Sequence, residues 1–450
     1  MVEAADTIVA IATPPGRSGI GVVRVSGAAV KNITAGLVSR TLSARHAHFC
    51  KFTDRDGETI DEGIAIFFNT PASYTGEDML ELYAHGNRII LGRIVSRVLE
   101  LGARLARPGE FTERAFHNNK LDLVQAEAVA DLVDAVSDQA ARSAVRSLEG
   151  EFSRRINVLL EKLVNLRAHV EGAFDFPEED IDFSAMENAG SKLTDCMADL
   201  QDLFGRARQG AILKEGITAV IVGRPNVGKS TLLNRLAGRD AAIVTDEPGT
   251  TRDLIEQDIL VDNIPVHVID TAGLRTAANK VEQEGIARAL AAAENADILI
   301  LLIEHGQSAG TEERRLLEKT GADKKVIIVY NKIDLYGAQP ETGRNNGHTE
   351  IHLSAKTGAG LDLFVGHLKE TLGMQDISED VFTARKRHLD ALKRTGASLE
   401  KALELVRQRA APELLAEELR LAQQSLGEIT GDFVADDLLG EIFSRFCIGK

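Results

Sequence analysis

Gly223-Arg-Pro-Asn-Val-Gly-Lys-Ser230 fits the pattern GxxxxGK[ST], and it lies between an aliphatic run, ITAVIVG, and a helix-forming one, STLLNRLAG. A phosphate-cradling loop needs that setting. The glycines let backbone N–H groups approach phosphate oxygens closely, the lysine adds a cation for the β and γ phosphates, and the serine offers a hydroxyl to Mg²⁺. Asn226, Val227, Gly228, Lys229, Ser230 and Thr231 are therefore assigned to the nucleotide. Alone, such a loop accepts ATP or GTP. Outward from it, PVHVID, ILILLIE, VIIVYN and EIHLS recur between helical stretches up to about Gly373, which is the pattern of a doubly wound α/β domain.

Further motifs follow in the order of a GTPase. Thr250 and Thr251 lie in PGTTRD, preceded by Thr245, Asp246, Glu247, Pro248 and Gly249; Asp270, Thr271, Ala272 and Gly273 end one strand. Asn331, Lys332 and Asp334 end another, and Ser354, Ala355 and Lys356 follow a third. The Asp334 carboxylate is suited to accept two hydrogen bonds from the guanine N1–H and 2-amino group, an arrangement adenine does not offer, so guanine is favoured. Ser230 and Thr251 are the expected magnesium ligands, with Asp270 reaching the ion through water. After Gly273 comes Leu274, where many GTPases carry a glutamine that orients the attacking water, so polar help for hydrolysis must come from another residue, an ion or a partner.

The rest of the chain divides around this block. Up to about Leu82, short β-rich runs (TIVAIAT, IGVVRVSG, IAIFF, MLELY) alternate with turns, and NRIILGRIVSRVLELG reads as a helix stopped by Gly102. From about Lys120 to Gln209 the pattern is helical, broken by the acidic stretch DFPEEDID, and helix returns after Asp376 with LLAEELRLAQQSLGEI. The expected architecture is multidomain: an α+β N-terminal domain over residues 1–118, a helical domain built from 119–210 plus 376–450, and an inserted α/β domain over 211–375.

Composition sets outer bounds. The 450 residues carry a formal charge of −16, a pI near 5.3, 44% hydrophobic and 27% charged residues, which excludes wholesale disorder and argues against non-specific coating of nucleic acid or anionic membrane. Cys50, Cys196 and Cys447 form no CxxC pair, so a disulfide framework and a zinc ribbon are not suggested. The longest aliphatic run, Ile298–Ile303, falls far short of the about 20 residues a bilayer requires. No secretory or transit pattern opens the chain, so a cytoplasmic protein without membrane contact is expected.

The opening TIVAIATPPGRSGIGVVRVSG, the segment RPGEFTERAFHNNKLDL and the terminal Phe446-Cys-Ile-Gly-Lys450 together make the chain resemble the MnmE, or TrmE, family of tRNA modification GTPases over essentially its whole length. The resemblance implies an enzyme that works with a flavoprotein partner, MnmG, in a heterotetramer, with FAD and NADH on that partner. It would add a carboxymethylaminomethyl or aminomethyl group to C5 of the wobble uridine of certain tRNAs, using a one-carbon unit from 5-formyl- or 5,10-methylenetetrahydrofolate.

Residue by residue, the resemblance places Arg24, Glu81, Lys120 and Lys450 at the folate; from the residues alone each is an ordinary surface or strand-end charge. It implies a homodimer whose paired G domains hydrolyse GTP with K⁺ held by Asn226, Thr245, Glu247 and Thr250. It assigns catalysis to Glu282, otherwise a favourable acid in a first helical turn, and a role near the folate to Cys447, otherwise a small buried apolar residue beside Phe446. The run Arg385-Lys-Arg-His388 suits either tRNA phosphate or a solvated helix face. Two rival readings are a non-catalytic GTPase switch and an N-terminal domain serving only dimerisation; neither needs a pterin site.

Overall fold

The computed structural model describes residues 6–172, 183–238, 255–270, 296–310, 313–314, 317, 325–345, 347–375, 380–408, 412–432 and 436–449; within these, the side chains of 183–187, 255–256, 270 and 436–437 are not described. Two compact units result, one of residues 1–133, 147–197 and 391–450, the other of 134–146 and 198–390.

In the first unit the strands are β1 (Ile8–Ile11), β2 (Ser18–Ser26), β3 (His48–Thr53), β4 (Thr59–Phe68), β5 (Met79–Gly86) and β6 (Arg104–Leu105). They form one sheet in the order β3-β4-β5-β2-β1-β6, antiparallel except for the β1–β6 edge pair. Side chains alternate across a strand, so each face is fixed by the pattern VVRVS. Val23 and Val25 pack with Leu80, Leu82, Val30, Ile33 and Ile94 in one core, roofed by the helices Val30–Leu37 and Arg88–Glu100. Gly102, at φ 102°, follows the second helix as the sequence suggested. The other face carries Arg24 opposite Glu81 in register, beside a cluster of Ile8, Ala10, Ala106 and Phe111. The edge strand β3 and the helix Val30–Leu37 were not anticipated from sequence.

Helices complete this unit. Glu151–Gly172 packs along Pro412–Thr430, with Leu159, Leu163 and Leu166 on one stripe and Leu415, Leu419 and Leu426 on the other. Across that pair Arg167 donates to the Gln423 side-chain oxygen at 2.8 Å. The break at DFPEEDID lies outside the described residues.

The second unit holds β7 (Ile217–Gly223), β8 (Ile255–Val261), β9 (Ile264–Asp270), β10 (Ile298–Glu304), β11 (Lys325–Asn331), β12 (Glu341–Asn345) and β13 (His348–His352) in the order β12-β13-β11-β10-β7-β9-β8. The five inner strands are parallel, and β8 and β12 add antiparallel edges. Strand β10, ILILLIE, is buried on both faces, which is why it reads as a continuous apolar run and not as an alternation. The chain leaves β7 toward β9 on one side and returns as β10 on the other, so β7 is the switch point where an α/β sheet opens a crevice at its carboxyl end. β12 is exposed throughout, and a polar edge strand of this kind leaves no hydrophobic period to read in ETGRN.

Candidate functional sites

At the carboxyl end of β7 the loop Gly223–Gly228 turns into the helix Lys229–Ala237. Asn226 at φ 63° and Gly228 at φ 105° are both left-handed. A Cβ on Gly228 would come within 2.3 Å of Asn331 Nδ2, so only glycine lets this loop approach β11 so closely. Lys229 is buried, and its ammonium donates to the carbonyls of Gly223 at 2.8 Å and Arg224 at 3.2 Å, so the loop curls around its own cation. Ser230 and Thr231 are exposed on the first turn of the helix, where backbone N–H groups that a helix leaves without intrahelical acceptors and the helix dipole favour an anion.

Asn331 joins three of the motif loops. Its amide donates to the Val227 carbonyl at 2.8 Å and accepts from the Ala355 N–H at 2.9 Å. The Ser354 hydroxyl donates to Asp334 Oδ1 at 2.6 Å and accepts from the Thr357 N–H at 3.2 Å, which fixes the Asp334 carboxylate. Arg235, on the helix after the loop, holds the Lys356 carbonyl at 2.9 Å. Lys332 adopts φ 71° and pairs with Glu304 at 2.8 Å. Asp270 ends β9 with its backbone in register with Ile221 of β7, two residues before the loop.

The phosphate loop and the Asn331–Asp334 and Ser354–Lys356 loops expected from sequence thus meet at one sheet end. Thr245, Asp246, Glu247, Pro248, Gly249, Thr250, Thr251, Thr271, Ala272, Gly273, Leu274 and Glu282 lie outside the described residues, as does Lys450. Two contacts had no motif to announce them. The buried Glu313 pairs with Arg224 of the loop at 3.4 Å, and Gly310 sits against that pair. Glu304 closes β10 without belonging to any motif.

The first unit holds a second constellation. Arg24 donates through Nε to Glu81 Oε1 at 2.9 Å, and Nη2 lies 2.9 Å from the same oxygen. Tyr83 donates to Glu81 Oε2 at 2.7 Å; burial and then the Glu81 carboxylate push its phenol up to about 12, so it remains a donor at neutral pH. The Arg24 guanidinium lies 5.4 Å from the Tyr74 ring centre and 5.8 Å from that of Phe111. Its Nη1 reaches the carbonyl of Gly449 at 3.2 Å, 425 residues away. The terminal segment is seated by that bond and by the Gly109 N–H on the Cys447 carbonyl at 3.4 Å. Gly449, at φ 98°, has no room for a side chain, since a Cβ would stand 2.6 Å from the Ile11 carbonyl.

Phe446 anchors this tail in a cluster with Leu123, Leu439, Ile442 and Phe443. Cys447 itself is exposed, so the buried-apolar reading of its thiol does not hold. Lys120 donates to the Pro71 carbonyl at 3.1 Å, and its ammonium bonds neither Arg24 nor Glu81. In the run Arg385–His388, Lys386 is exposed while His388 is buried and accepts from the Arg385 N–H, a local turn contact. Tyr83, Tyr74 and the Gly449 carbonyl were missed from sequence because nothing local marks a phenol or a carbonyl as a partner of a distant arginine.

Comparison with known proteins settles the family. The profile described as the MnmE helical domain matches residues 123–447, and that of the GTP-binding protein TrmE N-terminus matches residues 7–120. The tRNA modification GTPase MnmE of Hydrogenovibrio crunogenus is 51% identical over 99% of this chain and 99% of its own length. The chain belongs to the MnmE family of tRNA modification GTPases. The MnmE of Pseudomonas aeruginosa is likewise 51% identical, over the full length of both chains. Among solved structures, Era of Aquifex aeolicus is similar at 25% identity over 40% of this chain and 66% of that chain, with a TM-score of 0.27. As a member of the MnmE family the protein is a GTP hydrolase that takes part in tRNA modification, and its fold is the multidomain α/β and α+β arrangement expected. Among the described residues no helix is long and apolar enough to cross a membrane.

Proposed function

We propose that this MnmE-family GTPase is potassium-dependent, hydrolyses GTP as a homodimer with paired G domains, and acts with the flavoprotein MnmG, carrier of FAD and NADH, in a cytoplasmic heterotetramer. Its product is a carboxymethylaminomethyl or aminomethyl group at C5 of the wobble uridine of certain tRNAs. The observation that supports the folate part of this reading is the Arg24–Glu81 pair, held by Tyr83 and closed by the Gly449 carbonyl. Guanidinium, carboxylate and aromatic faces together suit a pterin, a flat heterocycle rich in donors and acceptors. Tetrahydrofolate, in its 5-formyl or 5,10-methylene form, supplies the one-carbon unit when bound. Arg24 and Glu81 orient it; Lys120 and Lys450 suit the anionic glutamyl tail; Cys447, exposed on the same terminal segment as Gly449, is the thiol that the resemblance assigns to the folate.

In the G domain, taken as residues 211–375 within a helical domain of 119–210 and 376–450, Asp334 reads guanine while Lys229 and the loop N–H groups hold the phosphates. Ser230 and Thr251 hold Mg²⁺. Asn226, Thr245, Glu247 and Thr250 hold K⁺ against charge that builds in the transition state, and Glu282 completes catalysis where Leu274 offers no amide. Residues 1–118 bind folate and dimerise. Calorimetry of the intact protein with 5-formyltetrahydrofolate tests the reading: binding is expected without GTP, weakened by Arg24→Ala or Glu81→Ala. A flat titration would leave the GTPase-switch alternative standing.

A further inference from the structure

Glu304 lies outside every GTPase motif, yet its carboxylate is committed to one of them. It ends β10 level with Asn331 of β11, accepts from the Lys332 ammonium at 2.8 Å on one oxygen and from the Tyr336 hydroxyl at 3.3 Å on the other. The Lys332 bond is the main cause holding the Glu304 carboxyl below its usual range.

Neighbouring contacts fix the backbone of Lys332 and leave its side chain to Glu304. Asn331 is buried with both side-chain atoms bonded, its carbonyl accepts from the His305 N–H at 2.8 Å, and Ile333 is buried with its N–H on the Leu353 carbonyl. Lys332 between them takes the left-handed conformation that starts the turn carrying Asp334. Where the chain is pinned on both sides, the ammonium's position depends on what the flexible stem is tied to. A partly exposed pair of this kind adds little to stability, so its measurable effect lies in what it orients.

We propose that Glu304 is a positioning residue for the base-reading side of the nucleotide site, acting through Lys332. The inference rests on the reading that the Asn331–Asp334 loop meets the guanine. Because guanine is common to substrate and product, the pair contributes uniformly to binding, not selectively to the transition state.

Fluorescence titration with GDP and a non-hydrolysable GTP analogue, together with steady-state hydrolysis, gives the test. Glu304→Gln is expected to weaken both nucleotides by the same factor, about threefold, raising KM and leaving kcat and the melting temperature unchanged. Glu304→Asp keeps the charge at shorter reach and is expected to lose less; it also serves should the glutamine variant fail to fold. In a Lys332→Met background, Glu304→Gln is expected to have no further effect. Unchanged affinity in folded Glu304→Gln, or an undiminished loss in the Lys332→Met background, would overturn the inference. Asp334→Asn separates the underlying reading: a shift of preference from GTP to XTP upholds the base site even if Glu304 is silent, while intact GTP affinity in that variant removes the base site itself.

Discussion

The side-chain amide of Asn331 donates to the carbonyl of Val227, 104 residues earlier, at 2.8 Å in a buried setting. With its oxygen on the Ala355 N–H, one residue ties the Gly223–Gly228 loop to the Asn331–Asp334 and Ser354–Lys356 loops. Asn331→Ala leaves a buried carbonyl and a buried N–H without partners, a cost of roughly 2–3 kcal/mol. A lowered melting temperature together with GDP affinity reduced at least tenfold is expected; a variant with native stability and native affinity would show that the loops hold themselves.

Hydrolysis is expected to depend on the monovalent cation. Replacing K⁺ by Na⁺ at equal ionic strength should slow turnover about tenfold or more while GDP affinity hardly changes, because the ion acts mainly in the transition state. Asn226→Ala should abolish that difference. Since Asn226 sits at φ 63°, where alanine is strained, Asn226→Gly provides the control that keeps the loop conformation. Equal rates in the two salts would remove the ion from the mechanism.

Cys447→Ser separates chemistry from packing more cleanly than a buried cysteine would allow. The thiol is exposed, so a serine hydroxyl there meets water and the melting temperature should not move. Modified wobble uridine per folded protein is expected to fall strongly, with GTP hydrolysis intact, because serine lacks the thiolate's nucleophilicity and redox chemistry. Normal modification would end any chemical role for this residue.

Acid should weaken the first unit through Glu110. Burial by itself would raise this carboxyl, but hydrogen bonds from Arg104, the Arg107 N–H and Arg114 outweigh it and hold it at about 2, below the usual 4.5. A carboxyl depressed by folding contributes stability that is complete above its unfolded value and lost as pH falls through the folded one. The window is therefore pH 4.5 down to about 2, and the contribution is on the order of 2–3 kcal/mol. Thermal melts of wild type and Glu110→Gln across that range should converge toward pH 2; parallel curves would place the acid sensitivity elsewhere.

The sequence by itself determined whatever is encoded within a few residues. Glycine and lysine at fixed spacing after ITAVIVG mark a phosphate loop because backbone approach and a cation must coincide there, and β10 is legible because its stretch buried on both faces, Ile298–Ile303, is wholly apolar. The Phe446–Lys450 tail was recognisable, but where it goes was not. Only the tertiary structure decided that the Gly449 carbonyl meets Arg24, that Tyr83 completes Glu81, and that Glu304 and Glu313 pair with Lys332 and Arg224, remote from them in sequence. Each of these is a contact between side chains or carbonyls whose local sequence is unremarkable. Their pairing follows from strand register and strand order, and those are set by how whole sheets bury their apolar faces.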